Sequence, residues 1–453
     1  MAAWLSQYKT MGCSDGTREE DPLVDSQKEL VKVLEKKGVE VRAKFGEGDH
    51  HTVELMDPTK ANAFFVILRD FIFKTCSASV TVNEKRLYEV AFTGQTARSG
   101  GWQRRSGRLC PSDQCQIPQP KFSPTSPIVL NQDGTAKRLF ESPTFPSDPN
   151  PSSPSPVLSK DLPLNPLLNT SLRIFLPRRR HHHHQPPVSA TPKPKLPLII
   201  YFHGGGFVTC SKATTGFHTF CVEMAFQVGV IILSVDYRLA PEHRLPAAYE
   251  DAMEALRWVR HRCDDPWIAD CADFSNCFLM GTSAGGNIAF HAGLRAAAEA
   301  DDLVPLKIKG LVLHHPYFGG VKRTGSELRL INDSQLPLSI NDLQWKLSLP
   351  VGADRDHEYC NPTVAGESPS LEVVSRLRWK VMVTGGEEDP LVDSQKELVK
   401  VLEKKGVEVR AKFGEGDHHA VELMDPTKAS AIFVILRDFI FKTCSVSVTV
   451  SRL

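Results

Sequence analysis

Residues 277–285 read CFLMGTSAG, a short apolar run followed at once by a Gly-x-Ser-x-Gly pentapeptide. A stretch rich in small residues follows and is typical of a helix. Strand, turn and helix in this order are the context of a nucleophile elbow. Glycines at 281 and 285 permit the tight turn that lifts the Ser283 side chain out of the sheet, and the helix N-terminus favours developing negative charge. The pentapeptide alone is a weak signal, because many strand-to-helix turns contain glycine and serine.

A second motif, HGGGF at 203–207, ends the apolar run LPLIIYF and lies upstream of the elbow, where an oxyanion loop is expected. Glycines leave backbone N–H groups free to point at an oxyanion. The predicted donors are the N–H groups of Gly205, Gly206 and Ala284. We expect Gly204 to serve the turn and His203 to brace the loop. A dinucleotide or phosphate loop would lead directly into a helix, but VTCSKATTGFHTF follows here, which disfavours that alternative.

A serine nucleophile needs a base and an acid that orients it, and after this elbow they follow in the order Asp, His. The segment VMVTGGEEDPLVD places Asp389 in a loop after a strand. Two other acids compete with it, but Asp393 falls in the first turn of the next helix and Glu388 is expected to be solvated. The segment VEVRAKFGEGDHHAVEL places a histidine pair after the last strand. Strand phase alone does not separate His418 from His419.

From Leu196 onward, apolar runs alternate with amphipathic stretches. The strand candidates are LPLIIYF, VIILSVDY, CFLM, IKGLVLHH, WKVMVTG and VEVRAKF, and the helix candidates include AAYEDAMEALRWVRHR, DSQKELVKVLEKKG and PTKASAIFVILRDFIFKT. Continuous apolar strands between amphipathic helices indicate a mostly parallel sheet covered on both faces. The predicted fold class is α/β, an α/β-hydrolase fold with a mostly parallel sheet, helices on both faces and a small cap region.

Four segments together, HGGGF, DYRLAPEHRLPAAYEDA, GTSAGGNIAFHAGLRA and EEDPLVD…GDHHAVEL, resemble the plant carboxylesterase family. That family lies in the hormone-sensitive-lipase-like branch of the α/β-hydrolases, and the resemblance runs from about residue 127 to the C-terminus. It implies that Asp389 is the triad acid and His419 the base. It also implies mainly structural roles for Asn287 and Asp236. The implied activity is hydrolysis of small carboxylic esters by a Ser-His-Asp triad with an HGGG oxyanion hole, with no cofactor and no metal.

Other functions stay open at this point. Related gibberellin receptors bind a ligand on the same fold with the base histidine replaced, and related isoflavanone dehydratases eliminate water. The presence of Ser283, Asp389 and His419 favours an enzyme over a receptor. An inactive product of a rearrangement at the N-terminus is a further alternative. Near the expected cap, three aromatic residues are candidates either for pocket walls or for plain core: Tyr317, Phe318 and Trp345.

Composition limits the partners. The chain has 453 residues, with 54 Lys and Arg against 53 Asp and Glu, so its formal net charge is +1. This balance predicts no nucleic acid and no membrane partner. The family resemblance implies a small-molecule ester substrate, and the expected oligomeric state is a monomer or a homodimer. Eleven cysteines without a CxxC pair favour free thiols and a cytoplasmic location. The C-terminal Ser451, Arg452 and Leu453 resemble a peroxisomal address, which is the alternative location.

The chain contains one long internal repeat. Residues 19–82 match residues 387–450 at all but four of 64 aligned positions, Thr52/Ala420, Asn62/Ser430, Phe64/Ile432 and Ala78/Val446. This copy holds an acid, Asp21, and a base, His51, but no elbow, no HGGG loop and no other strands. We therefore interpret it as a spare copy and not as a second active site.

The predicted organisation is an N-terminal extension over 1–115, which contains this duplicate, and a hydrolase domain over 116–453. A Pro/Ser-rich and basic linker-like insert is predicted at about 141–195. Two strand candidates interrupt the pattern-poor block at roughly 83–195, the Asp-Gly hairpin SPIVLNQDGTAKRLF before this insert and the segment TSLRIFLP within it.

Overall fold

A computed structural model of the protein describes residues 128–130, 136–139, 142–178, 194–261, 265–363 and 369–445. The duplicate at 19–82, with Asp21 and His51, lies outside the described residues. The C-terminal tripeptide Ser451–Leu453 and the boundary between 115 and 116 also lie outside them. The predictions about these segments therefore stay predictions.

A twisted sheet of eight strands forms the centre of the described part, beside a small separate hairpin. The hairpin pairs β1 (Ile128–Leu130) antiparallel with β2 (Ala136–Arg138), and the residues of the predicted Asp-Gly turn between them lie outside the described residues. The strands of the large sheet are β3 (Val157–Asn165), β4 (Thr170–Pro177), β5 (Leu196–Phe202), β6 (Ile231–Asp236), β7 (Ala272–Thr282), β8 (Ile308–His314), β9 (Lys380–Glu388) and β10 (Glu408–His418). Their order is β10-β9-β8-β7-β5-β6-β4-β3. The strands from β10 to β6 in this order are parallel, and β4 and β3 are antiparallel to their neighbours.

Helices cover both faces of the sheet. They are α1 (Thr215–Met224), which continues into a π-helical turn over Ala225–Gly229, α2 (Ala247–His261), α3 (Pro266–Cys271), α4 (Ala284–Ala298), α5 (Gly325–Arg329), α6 (Leu338–Ser348), α7 (Pro369–Arg376), α8 (Val392–Lys404) and α9 (Pro426–Ser445). Within the described residues, no helix has both the length and the apolar character needed to cross a bilayer.

Two hydrophobic cores follow from the alternation of side chains along the strands. In β5, Leu198, Ile200 and Phe202 point into a core shared with α2 and α4. Their neighbours Ile199 and Tyr201 point into a second core with α1 and α9. Successive side chains of a strand face opposite sides, so a strand that is apolar throughout must be covered twice. The predicted α/β-hydrolase fold class is confirmed.

Part of the segment predicted as a linker-like insert at about 141–195 forms paired strands, and residues 179–193 of it lie outside the described residues. Residues 157–165 form β3, which pairs antiparallel with β4, the predicted strand TSLRIFLP. The prolines and serines of this region misled the sequence interpretation, because proline removes a ladder hydrogen bond. Here β3 is an edge strand, and its register shifts between Pro163 and Asn165. An edge strand tolerates proline because one side of its backbone needs no partner strand.

Candidate active site

Ser283 lies at the turn between β7 and α4, with φ 56° and ψ −118°. A serine seldom adopts this conformation, and the surrounding backbone holds it there. Its N–H donates to the His314 carbonyl at 2.9 Å, and its carbonyl accepts from the Tyr317 N–H at 3.0 Å. A side chain at Gly281 would collide with the Gly285 backbone, and one at Gly285 with the Phe202 carbonyl. The local geometry is that of the predicted elbow.

The structure brings the three predicted triad residues together. The Ser283 hydroxyl Oγ lies 3.0 Å from Nε2 of His419. On the other side of the ring, Nδ1 lies 2.9 Å from Oδ2 of Asp389. An Nδ1–H that donates to the carboxylate leaves Nε2 free to accept the serine proton. All three residues are buried, and Asp389 has no exposed surface.

The other candidates for the acid and the base lie elsewhere. Glu388 is an exposed residue that pairs with Arg329. Asp393 accepts from the Ser326 N–H at 2.8 Å. His418 is the last residue of β10, and its Nδ1 donates to the His419 carbonyl at 3.2 Å, away from the serine. Among the described candidates, Asp389 and His419 are the acid and the base whose side chains form a hydrogen bond with each other.

Asp389 and His419 meet because their strands are parallel neighbours. Asp389 follows the last residue of β9, and His419 follows the last residue of β10. The carboxyl ends of parallel strands lie at one edge of the sheet, which is the edge where Ser283 leaves β7. The start of α8 adds two donors to the carboxylate, the Leu391 N–H at 2.9 Å and the Gln395 amide at 3.1 Å.

The HGGGF loop lies directly against the serine. A Cβ built on Gly204 would lie 3.3 Å from Cβ of Ser283. Gly205 and Gly206 have φ angles of +105° and +59°, which favour glycine. Within the described part of the chain, neither of these two N–H groups donates to a protein acceptor. Ala284 opens α4, and the first N–H groups of a helix have no partner inside it.

His203 holds this loop from beneath. Its Nδ1 donates to the Gly204 carbonyl at 2.8 Å, and its ring stacks on Tyr237 with centroids 4.3 Å apart. Burial lowers the pKa of His203, which keeps the ring neutral. The Tyr237 hydroxyl donates to the His203 carbonyl at 2.9 Å. These contacts fit the predicted bracing role.

Asp236 and Asn287 both support the surrounding structure. Asp236 accepts from Nζ of Lys212 at 3.0 Å, which ties the end of β6 to the segment before α1. The side chain of Asn287 accepts from the Tyr249 hydroxyl at 2.7 Å and donates to the Tyr317 carbonyl at 3.0 Å. Neither side chain contacts Ser283 or His419, as the family resemblance implies.

The aromatic residues near the cap are packed into the core. Tyr317 and Trp345 stack with centroids 4.7 Å apart, and with Phe318 they are at most 2% exposed. Among the side chains that reach the oxyanion loop is Gln344 of α6, which occupies the space where a Cβ on Gly206 would lie. Gln344 belongs to no sequence motif, so the sequence interpretation missed it.

Three further buried side chains, those of His314, His315 and Glu422, form a cluster beside the predicted acid. Nδ1 of His315 lies 2.8 Å from Oδ2 of Asp389, and its Nε2 lies 3.1 Å from Oε2 of Glu422. His314 also reaches Glu422, with Nε2 at 3.3 Å. The sequence shows these residues only as the end of IKGLVLHH and as the third residue after His419. No motif connects them.

The charges of this cluster are mutually stabilising. Burial alone would lower the pKa of His315, but hydrogen bonds and attraction from Asp389 and Glu422 raise it to about 10. Burial alone would raise the pKa of Asp389, but His419 and His315 hold it well below its ordinary value. The pKa of Glu422 is likewise lowered, against its burial, by His314 and His315. Burial lowers the pKa of His314.

Comparison with known proteins identifies the family. A family described as having the alpha/beta hydrolase fold matches residues 199–423. Carboxylesterase 20 of Arabidopsis thaliana is 50% identical over 315 residues, which cover 69% of this chain and 94% of the relative. The chain belongs to the plant carboxylesterase family. The 3-O-acetylpapaveroxine carboxylesterase CXE2 of Papaver somniferum is 43% identical, over 68% of this plant carboxylesterase and 96% of the relative.

Solved structures show the same fold. An esterase of Pyrobaculum calidifontis has a TM-score of 0.50 and 25% identity, over 62% of this carboxylesterase and 85% of the esterase. Carboxyl esterase 2 of Tuber melanosporum has a TM-score of 0.52 and 20% identity, over 66% and 90% of the two chains. This plant carboxylesterase is therefore a carboxylic ester hydrolase of the α/β-hydrolase fold.

Proposed function

We propose that this carboxylesterase hydrolyses small carboxylic esters with Ser283 as nucleophile, His419 as base and Asp389 as the orienting acid. The observation that carries the proposal is the continuous line of hydrogen bonds from Ser283 Oγ through the His419 ring to Asp389, at 3.0 and 2.9 Å. Gly205, Gly206 and Ala284 supply the oxyanion hole, with His203 and Gly204 supporting the loop.

In the first half-reaction, Ser283 Oγ attacks the ester carbonyl carbon while Nε2 of His419 takes its proton. The carbonyl π electrons move to the oxygen and form a tetrahedral oxyanion. This intermediate collapses, the bond to the alcohol oxygen breaks, and the leaving alkoxide takes the proton from Nε2. Asp389 keeps the imidazole in the Nδ1–H tautomer and stabilises the transient imidazolium.

In the second half-reaction, water attacks the acyl-enzyme and gives a proton to Nε2 of His419. The second tetrahedral oxyanion collapses, Ser283 leaves with that proton, and the carboxylic acid is released. The loop N–H groups bind both oxyanions, and each donor lowers the barrier by about 3 kcal/mol. Nucleophile, base and oxyanion donors are all residues of this chain.

The substrate is a small-molecule ester, and two features favour a small acyl group. The Gln344 side chain lies on Gly206 and narrows the space beside the oxyanion loop. One relative is named for an acetyl ester, as a 3-O-acetylpapaveroxine carboxylesterase. A short acyl chain therefore fits this side of the site better than a long one.

Hydrolysis of p-nitrophenyl acetate and butyrate by the full chain tests the triad. Ser283→Ala and His419→Gln should each lower kcat by at least about 10³-fold. His418→Gln is the matched control for the base and should stay within a few-fold of the wild type, because its ring faces a backbone carbonyl. Acetate should be preferred to butyrate.

Labelling with a fluorophosphonate followed by peptide mapping should identify Ser283. Hydrolysis that persists in folded Ser283→Ala would overturn the proposal. Wild-type protein that binds esters or their analogues without turnover would instead indicate a receptor.

A further inference from the structure

His315 lies between two buried carboxylates and joins the acid of the proposed triad to a residue outside it. It follows β8, and its N–H donates to the Thr384 carbonyl at 2.6 Å, which fixes the backbone. Its ring contacts Asp389 through Nδ1 at 2.8 Å and Glu422 through Nε2 at 3.1 Å. His315 and Asp389 have no exposed surface, and Glu422 is 8% exposed.

The positions of the two ring nitrogens favour the charged form of the ring. A neutral imidazole donates from one nitrogen only, but here each nitrogen faces a carboxylate oxygen. Only the imidazolium donates to both, and two buried carboxylates without a cation between them would repel each other. Asp389, His315 and Glu422 therefore form an alternating row of charges, minus, plus, minus, away from His419.

We propose that His315 and Glu422 are positioning residues that clamp Asp389 and set the electrostatic field at His419. They touch neither the serine nor the space beside the oxyanion loop, and they act through Asp389 and through the turn that carries His419. This inference rests on the proposed function of Ser283, His419 and Asp389.

The clamp also connects two parts of the chain. Glu422 lies in the 3₁₀ turn Val421–Leu423, three residues after His419. Its contact with His315 ties this turn to the end of β8, and Ser283 is tied to the same strand through the His314 carbonyl. The distance between base and nucleophile therefore depends on the His315–Glu422 pair.

Removing the charge of Glu422 and removing the charge of His315 have opposite effects on protonation of the base, His419. The acid limb of kcat/KM plotted against pH reports that protonation. In Glu422→Gln a negative charge is lost while contact with Asp389 keeps His315 charged, so the base protonates less readily and the limb moves to lower pH. In His315→Gln the nearby positive charge is lost, so the limb moves to higher pH.

The other titratable groups that face the cluster are His314, which reaches Glu422, His418, which adjoins the base, and the exposed Lys428, whose positive charge attracts Glu422. The His314 ring contacts Glu422 and Thr384, whereas the His315 ring contacts Asp389 itself. A proton that moved to His314 in His315→Gln would therefore no longer lie on a hydrogen-bond partner of Asp389. The expected direction of the shift is therefore unchanged.

The experiment measures pH profiles of kcat and kcat/KM with p-nitrophenyl acetate for the full-length protein. Glu422→Gln and His315→Gln should move the acid limb in opposite directions by about half a pH unit or more. Each should lower kcat by about 10- to 100-fold with KM changed by less than about three-fold, because reacting groups are displaced while substrate contacts are not. In the double variant Glu422→Gln/His315→Gln, the acid limb should lie closer to that of the wild type than it does in His315→Gln alone.

Two variants separate the charge from packing. Glu422→Asp keeps the charge, so its limb should stay in place even if kcat falls. Glu415→Gln removes one negative charge at an exposed position of β10 and should leave both kcat and the limb unchanged. If His315→Gln does not fold, a comparison of Glu422→Gln with Glu422→Asp still tests whether the charge at position 422 moves the acid limb.

The outcomes distinguish the two proposals. If Ser283→Ala is inactive but both charge variants leave the limb in place, or move it in the same direction, the clamp is overturned and the triad stands. Hydrolysis that does not depend on Ser283 would overturn the triad itself. Limb shifts of opposite sign with a Ser283-dependent reaction support both.

Discussion

Gly205 has a backbone conformation and surroundings that exclude any side chain. Its φ is +105°, and a Cβ would collide with the Thr209 carbonyl. Gly205→Ala should therefore displace the oxyanion loop and lower kcat on p-nitrophenyl acetate by about 100-fold, with a small change in KM. Gly352→Ala is the control, because Gly352 also has a positive φ of +85° but no neighbouring atoms within 4 Å of the added methyl group.

Both alanine variants bear the conformational cost of a positive φ, about 1–2 kcal/mol. Only Gly205→Ala also disturbs the loop. Thermal unfolding measured beside kcat separates these effects. Equal losses of kcat in the two variants would contradict an oxyanion role for the loop.

His315 predicts a fall in stability at mildly alkaline pH. Its pKa is raised to about 10 in the folded chain, from an ordinary value of 6.5. The charged His315 ring therefore stabilises the folded chain fully below pH 6.5. This stabilisation is lost as the pH rises from 6.5 toward 10. Above pH 6.5 the folded chain binds one more proton at this site than the unfolded chain. The free energy of unfolding should therefore fall by about 1 kcal/mol per pH unit.

The best window for this measurement is pH 7.5 to 8.5. The other described histidines with a shifted pKa, His203, His218, His291 and His314, all have it lowered, so their slopes have the opposite sign and fade within about one pH unit above 6.5. Denaturant unfolding of wild type and His315→Gln should give equal m-values. The free energy of unfolding should fall more steeply with pH in the wild type, by the slope that corresponds to about one bound proton. Equal slopes would show that His315 is not charged in the folded state.

At the scale of elements, the turn between β10 and α9 depends on a left-handed residue. Ala420 has φ 52° and ψ 35°, directly after His419. The repeat carries Thr52 at the equivalent position. A β-branched side chain is strongly disfavoured in this conformation. Ala420→Thr should therefore lower the free energy of unfolding by about 1–2 kcal/mol and lower kcat, because the base moves with the turn.

Ala420→Gly is the matched variant for this prediction. Glycine adopts positive φ without steric cost, so stability and kcat should stay at or above the wild-type values. Chemical denaturation together with p-nitrophenyl acetate turnover measures both effects. A fully stable and active Ala420→Thr would contradict this account of the turn.

Elements with a local signature were predictable, and contacts between distant elements were not. GTSAG and HGGGF each encode their own turn, so the motifs alone predict Ser283 at an elbow and the glycines in a loop. His315 and Glu422 meet across 107 positions of sequence, and only the packing of β8 against the last turn brings them together. Strand β3 was missed because its prolines disfavour a strand everywhere except at an edge. The choice of His419 over His418 needed either the family resemblance or the structure.

At the scale of the whole molecule, the described residues from 142 onward hold the sheet and every residue of the proposed site. The Arabidopsis relative is 94% covered by 315 residues of this chain. Deleting residues 1–110 should therefore leave esterase activity that depends on Ser283 within about three-fold of the full chain. Titration with a fluorophosphonate counts the active sites in each preparation, so that the two activities are compared per active site. Loss of activity in a folded core would show that the extension contributes to the site.

The repeat permits a sharper test, because residues 19–82 hold a second base, His51, in almost the same sequence as the turn that carries His419. Two of the four differences make that copy a worse fit to the described site. Thr52 would replace Ala420 at a positive φ, and Phe64 would replace Ile432, which is 8% exposed in the core, where overpacking costs about 1–3 kcal/mol.

The copy at 387–450 should therefore supply the base in the full chain, and His419→Gln should be inactive although His51 is present. The measurement compares His419→Gln with the double variant His51→Gln/His419→Gln. Residual turnover in the first that disappears in the second would mean that the N-terminal copy enters the sheet and replaces the last strand. His51→Gln alone should keep full activity, because the base that contacts Ser283 is then unchanged.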